Sequence, residues 1–332
     1  MPERLSQLQQ WLTNDCGISD CSIQPLFGDA SFRRYFRVTL ENGETRIAMD
    51  APPPQEDCRP FVDISRRLEA AGVHVPHIHA EDLQLGFLLL EDLGNTQYLD
   101  KLNPETAPRL YGDALGALSA MQACTRIDDL PQYDEALLNM ELELFRHWLC
   151  QQHLGLSLSD DEHHMLDQLF AMLVDNALQQ PQHFVHRDYH SRNLMIVSNH
   201  GPGVIDFQDA VVGPVTYDLV SLLKDAYIRW PLEQVDLWAE GYCELAIQSG
   251  LMPQHDEGRF QRWFDLMGVQ RHIKVAGIFA RLYRRDGKEG YLDDIPLVLE
   301  YIMEMLPRYP ELEQLGSMIE NRISPHLQGS AE

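Results

Sequence analysis

The chain has 332 residues, 44% of them hydrophobic, enough for one large or two modest domains with an ordinary soluble core. A formal net charge of −25 argues against nucleic acid as a partner, because a phosphate backbone would be repelled. The N-terminus has no apolar signal segment, no apolar run approaches bilayer-spanning length, and the six cysteines form no C-x-x-C pair, so a reduced, cytoplasmic, monomeric protein without a membrane partner is expected.

Leu5, Leu8, Trp11 and Leu12 fall at helical spacing and predict an amphipathic opening helix. Ile23 to Phe27 reads as a strand. Gly28-Asp29-Ala30-Ser31 then reads as a tight turn whose backbone N–H groups suit phosphate oxygens, with Phe32 and Arg33 completing the segment. Phe36 to Leu40 and Thr45 to Met49 predict a hairpin about Asn42-Gly43. Arg59 to Ala71 reads as a helix stopped by Gly72. His74, His77 and His79 lack the carboxylate or thiol spacing of a metal site. Phe87 to Leu90 is a buried strand. Glu91-Asp92-Leu93-Gly94 breaks it at the place of a hinge, where the backbone of Glu91 and Leu93 could bond an adenine edge.

Beyond this the pattern is helical: Leu110–Met121, Leu137–Leu149, Met165–Leu178, Leu219–Ile228 and Val235–Ile247 carry apolar residues at helical spacing. Asp218 reads as the N-cap of one of these helices or as a partner for the backbone of the loop before it. Between Arg271 and Lys288 stand six cations and one carboxylate, Asp286. Five of the cations, with Ile278, are spaced three or four apart, on one helical face that Gly287 would end. That face reads either as solvated surface or as an anion site for a substrate carboxylate or a nucleotide phosphate.

The chemistry concentrates in residues 183–209. Leu194–Val197 and Val204–Ile205 predict a hairpin about His200-Gly201-Pro202-Gly203. Asp188 and Asn193 lie at its entry and Asp206 at its exit, so three oxygen-bearing side chains are expected at one end, a donor set for Mg²⁺ holding phosphate oxygens. His186-Arg187-Asp188, four residues, then Asn193 matches the H-R-D-x-x-x-x-N spacing, and Asp206-Phe207 stands where a metal-binding Asp-Phe-Gly would. Zinc on His186 and His190 is disfavoured, since the segment is loop rather than helix.

These residues resemble the aminoglycoside phosphotransferase and choline kinase-like superfamily over about residues 23–230. Gly28–Arg37, Met49–Pro53 and Arg271–Lys288 further resemble the anomeric amino-sugar kinases of bacterial cell-wall recycling. The resemblance implies an α+β, two-lobed protein-kinase-like fold: a small antiparallel-sheet N-lobe over 1–93 and a larger, mainly helical C-lobe over 94–332. It implies ATP and Mg²⁺ as cofactors and transfer to the C1 hydroxyl of N-acetylmuramate or N-acetylglucosamine. Asp188 would orient or deprotonate that hydroxyl, and Asn193 and Asp206 would hold Mg²⁺. His190, Asp209, Arg271 and Arg281 would be candidates to touch substrate. A cationic acceptor such as an aminoglycoside or choline, or a non-catalytic nucleotide-binding regulator, are the alternatives. One departure stands out. Kinases place a lysine on the third strand for the α- and β-phosphates, whereas here Met49 or Asp50 occupies that position. Arg33 or Arg34 is the expected substitute.

Overall fold

The computed structural model describes residues 2–26, 32–198 and 201–328. In chain order these form α1 (Pro2–Asn14), β1 (Cys21–Pro25), β2 (Arg34–Leu40), β3 (Thr45–Asp50), α2 (Arg59–Ala70), β4 (Ile78–Asp82), β5 (Phe87–Glu91) and α3 (Ala107–Cys124). They continue with α4 (Glu135–Leu144), a π-helical turn (Phe145–His153), α5 (Asp160–Leu178), β6 (Gln182–Val185), β7 (Leu194–Met195), β8 (Gly203–Val204) and β9 (Val211–Pro214). Then come α6 (Tyr217–Leu223), α7 (Leu232–Gln248), the long α8 (Glu257–Asp286), α9 (Ile295–Met303) and short C-terminal helices. Two compact units result: residues 1–121 with 192–209, and residues 122–191 with 210–332. The boundary expected at residue 93 falls inside the first unit.

In the first unit, five antiparallel strands lie in the order β1-β2-β3-β5-β4. The β2–β3 hairpin turns at Gly43, whose φ of +84° is open to glycine but strained for other residues. Leu8, Trp11 and Leu12 of α1 pack on Phe36, Val38, Ala48, Phe87 and Leu89, one face of the sheet. Strand alternation sends Met49 to the opposite face. The β7–β8 hairpin belongs to this unit for a definite reason. Its backbone is tied there, Val204 N–H donating to His74 O (2.8 Å) and Tyr98 N–H to Leu194 O (2.8 Å). β7 is shorter than the expected Leu194–Val197, and β8 begins one residue before the expected Val204–Ile205.

In the second unit, helices start where capping residues allow. The Asp134 carboxylate accepts the Leu137 N–H at the start of α4, and Ser159 with Glu162 forms a capping box on α5. The helix expected over Leu137–Leu149 is α-helical only to Leu144 and then π-helical. The change falls where α8 crosses. A Cβ on Gly277 would stand 2.4 Å from Leu144 C and 2.5 Å from Phe145 N, so the two backbones are in contact there. The helix expected over Leu219–Ile228 ends at Leu223, because the following residues turn to make the contacts described below. Among the described residues no helix is long and apolar enough to cross a membrane.

Gly277→Ala is expected to destabilise the protein by about 3 kcal/mol, as overpacking against backbone that cannot yield does. Chemical denaturation would measure this, and an unchanged midpoint would mean that α8 can slide.

Candidate active site

Each unit carries one part of the expected constellation. In the second unit, β6 runs into the loop His186–Ser191, and two carboxylates hold that loop by its backbone. Asp218, in the first turn of α6, accepts the N–H groups of His186 (2.7 Å) and Arg187 (3.0 Å). Asp218 is thus the loop's partner and not the N-cap, a position that falls to Thr216. Asp225, just past α6, accepts from the N–H (2.9 Å) and hydroxyl (2.5 Å) of Ser191 and from the N–H of Tyr227 (3.1 Å). Inside the loop, Arg187 has φ +77°, a conformation costly for a side chain of its size.

A buried ion cluster holds Arg187. Glu141 of α4 pairs with Arg187, accepts the Tyr133 hydroxyl, and lies 3.0 Å from Lys274 Nζ of α8. Lys274 donates in turn to the Tyr217 hydroxyl at 2.8 Å. Burial would push the Glu141 carboxyl up, but Lys274 and Arg187 outweigh it and hold it below the usual range. Glu141, Asp225 and Tyr133 carry no sequence signal of this role, because a carboxylate within a helix pattern reads as surface.

Asp188 sits in this setting. Burial would raise its carboxyl, but Lys274, His190, Arg271 and His186 together hold it below the ordinary carboxylate value, so it is ionised at neutral pH. Its N–H donates to His186 Nδ1 (3.2 Å), and its carbonyl accepts the His190 N–H (3.0 Å). The His190 ring packs edge-on to Tyr227 at 5.5 Å. Asp218 differs. Burial raises it to about 7 despite the two N–H donors, and the charge of Asp188 adds to the rise.

In the first unit, β7 and β8 bring Asn193 and Asp206 together as expected. Ile205 N–H donates to Asn193 O (3.1 Å), and Asn193 Nδ2 lies 3.4 Å from Asp206 Oδ2. Asp206 has φ +64°, and Gln208 Nε2 donates to its Oδ1 at 2.9 Å. The Phe207 ring packs on Phe61 of α2 at 4.7 Å, which fixes the segment. Asp209 is exposed, and Gln208 Nε2 lies 3.4 Å from it. An amide and a carboxylate side by side are hard-oxygen donors that suit Mg²⁺, which takes one or two protein oxygens and completes its shell with phosphate and water. Among the described residues no cluster of three or more His, Cys, Asp or Glu forms a metal site. His74 contacts Glu91 (3.2 Å) and His77 contacts Glu69 (2.8 Å), which accounts for two of the three histidines around Pro76.

The missing lysine has a structural explanation. Asp50 is buried and pairs with both Arg4 of α1 and Arg34, on the face that α1 covers. It neutralises arginines and is not placed as a phosphate ligand, and Arg34 is engaged with it. Arg33 pairs with Glu56 at 3.4 Å and feels the charges of Asp206 and Asp209. Gly28, Asp29, Ala30 and Ser31 lie outside the described residues, while Phe32 is exposed. Glu91 N–H donates to His77 O (2.8 Å), and Leu93 is buried against Gly203.

The single cationic face expected over 271–288 does not exist as such. Arg271 and Lys274 are buried, Arg281 is half-buried, Arg285 is exposed and pairs with Asp286, and Lys288 lies past the Gly287 cap. The cause is that α8 enters the interior at one end and leaves it at the other. Arg281 is ten residues from Arg271, about 15 Å along the axis, so the two do not share a small anion.

Asp218→Asn would keep one acceptor but set an NH₂ against the second loop N–H, and kcat is expected to fall about a hundredfold through misplacement of Asp188. The pH dependence has a definite sign. A carboxyl raised from 3.8 to about 7 on folding binds its proton more tightly when folded, so its contribution is fully present below pH 4, is lost as pH rises to about 7, and is flat above. Thermal midpoints across that window should fall less steeply in Asp218→Asn, and equal slopes would mean that Asp218 does not titrate there.

The chain is 47% identical to N-acetylmuramate/N-acetylglucosamine kinase of Pseudomonas putida, over 96% of this chain and 97% of that protein. It is 49% identical to the protein of the same name from Pseudomonas aeruginosa, over 89% of this chain and 87% of that one. Among solved structures it shares the fold of an ADP-bound aminoglycoside phosphotransferase, APH(2'')-Ib, with a TM-score of 0.58 at 16% identity, covering 89% of this chain and 97% of that one. The profile of the phosphotransferase enzyme family matches residues 22–258, and the chain belongs to that family.

Proposed function

We propose that this phosphotransferase moves the γ-phosphoryl group of ATP to the anomeric hydroxyl of N-acetylmuramate or N-acetylglucosamine, giving the sugar 1-phosphate. The observation that carries the reading is the near-half identity, along almost the whole chain, to relatives named for those two sugars. The local chemistry supports it. Phosphoryl transfer asks little covalent work of the protein and much positioning and charge stabilisation. A carboxylate held below its ordinary pKa is a weak base, so Asp188 would orient the acceptor hydroxyl and take its proton late, as the bond to phosphorus forms and the bond to ADP breaks. Asn193 and Asp206 would hold Mg²⁺, which when bound neutralises charge on the phosphoryl oxygens. Arg33, beside Asp206 and Asp209 in charge, would supply the cation that β3 lacks. Gly28 to Ser31, which the sequence suggests as a phosphate-binding turn, and the Glu91–Leu93 backbone complete the proposed nucleotide site. The small amino sugar is the proposed partner and the cytoplasm the proposed location.

A coupled ADP-release assay with Mg-ATP tests this across N-acetylmuramate, N-acetylglucosamine, glucosamine, choline and kanamycin. Turnover is expected on the two N-acetylated sugars, lost on their 1-O-methyl forms, and reduced at least about a hundredfold in Asp188→Asn. Turnover on choline or kanamycin alone would overturn the acceptor. Arg33→Ala is expected to raise the KM for ATP about tenfold while leaving the sugar KM in place, the pattern of a lost phosphate contact. Equal ATP KM values would remove Arg33 from the site.

A further inference from the structure

Two cations on α8, three residues apart, have opposite circumstances. Lys274 is buried and satisfied, between Glu141 (3.0 Å) and the Tyr217 hydroxyl (2.8 Å). Arg271 is more deeply buried, at 3% exposure, yet its Nε and Nη1 are shielded from solvent with no hydrogen-bond partner among the described residues. Burying guanidinium donors without acceptors is costly, so folds retain such an arrangement only where something pairs with it. The charge of Arg271 acts on both Asp188 and Asp218, favouring the ionised form of each. Arg271 therefore stands in the field of the residue that would meet the acceptor hydroxyl. Asn193 and Asp206, proposed for the metal and phosphates, belong to the other unit.

We infer that Arg271 is a specificity residue of the acceptor site and receives a carboxylate carried by the sugar. The inference rests on the sugar-kinase reading above. Of the two sugars, N-acetylmuramate carries a lactyl carboxylate and N-acetylglucosamine does not. A guanidinium offers parallel N–H donors that match a carboxylate, where an ammonium would offer a point charge. The pairing would give an acceptor to one of the orphaned nitrogens together with Nη2, and place one negative charge against a buried positive one. A cationic acceptor in the same place would meet repulsion, which sets Arg271 against an aminoglycoside or choline acceptor.

The test combines a change in the protein with a change in the substrate. Wild type, Arg271→Lys and Arg271→Met would each be assayed with N-acetylmuramate, its methyl ester and N-acetylglucosamine. In the wild type, esterification is expected to lower kcat/KM at least about tenfold, the worth of a charge-assisted hydrogen bond. In Arg271→Met the acid should lose that advantage over its ester, with the N-acetylmuramate to N-acetylglucosamine ratio of kcat/KM falling by the same factor. Arg271→Lys should fall between. Should Arg271→Met fail to fold, the wild-type comparison of acid with ester together with Arg271→Lys still decides. A wild type indifferent to esterification overturns the inference while the function stands. So does a variant that loses activity equally on all three sugars, because Arg271 would then serve only to position Asp188. A wild type inactive on both sugars overturns the function first and the inference with it.

Discussion

The constraint on which the second unit depends is the pinning of the His186–Ser191 loop by two carboxylates. Asp218 takes the backbone N–H groups of His186 and Arg187 at one end, and Asp225 takes the N–H and hydroxyl of Ser191 at the other. A loop that carries chemistry cannot satisfy its N–H groups in a sheet ladder without losing its shape. Buried acceptors from a neighbouring helix solve that problem, and they account for α6 being short and wholly buried. They also help hold Arg187 in the left-handed region, where its own preferences would not put it.

Charge follows from that arrangement. The loop lies among buried ionisable groups, and their environments drive them apart. Asp188 and Glu141 stay ionised beside α8 cations, while Asp218, despite two N–H donors, is pushed towards neutrality by burial and, to a smaller degree, by the charge of Asp188. Position along α8 decides each cation's role: Lys274 completes the Glu141 cluster, Arg271 is left with unused donors, and Arg285 is solvated surface. The first unit reaches a similar balance differently. Asp50 is flanked by Arg4 and Arg34, so a carboxylate near the expected lysine position bears on packing of α1 and not on phosphate chemistry.

Much of this was legible in the residues. The β2–β3 hairpin at Asn42-Gly43, α2 with its stop at Gly72 and the buried β5 came from periodicity and turn residues, which are local properties. The pairing of Asn193 with Asp206 was legible because a short antiparallel hairpin puts its ends side by side whatever surrounds it. The shared cationic face over 271–288 was not. Spacing states which residues lie on one side of a helix, but not which part of that side is covered, and α8 changes its surroundings along its length.

Sequence alone therefore determined the β2–β3 hairpin, α2, β5 and several of the helices, the phosphotransferase motif and the positions of Asp188, Asn193 and Asp206 within it, because these depend on neighbours a few residues away; β4, β6 and β9 were not read from it. Tertiary structure alone decided that Asp218 and Asp225 hold the loop, that Glu141 holds Arg187, that Asp50 answers to arginines, and that Arg271 is buried with donors to spare. All but the last of these are meetings of groups more than a dozen residues apart. Burial, which sets the strength of every charge involved, has no local signature in the chain.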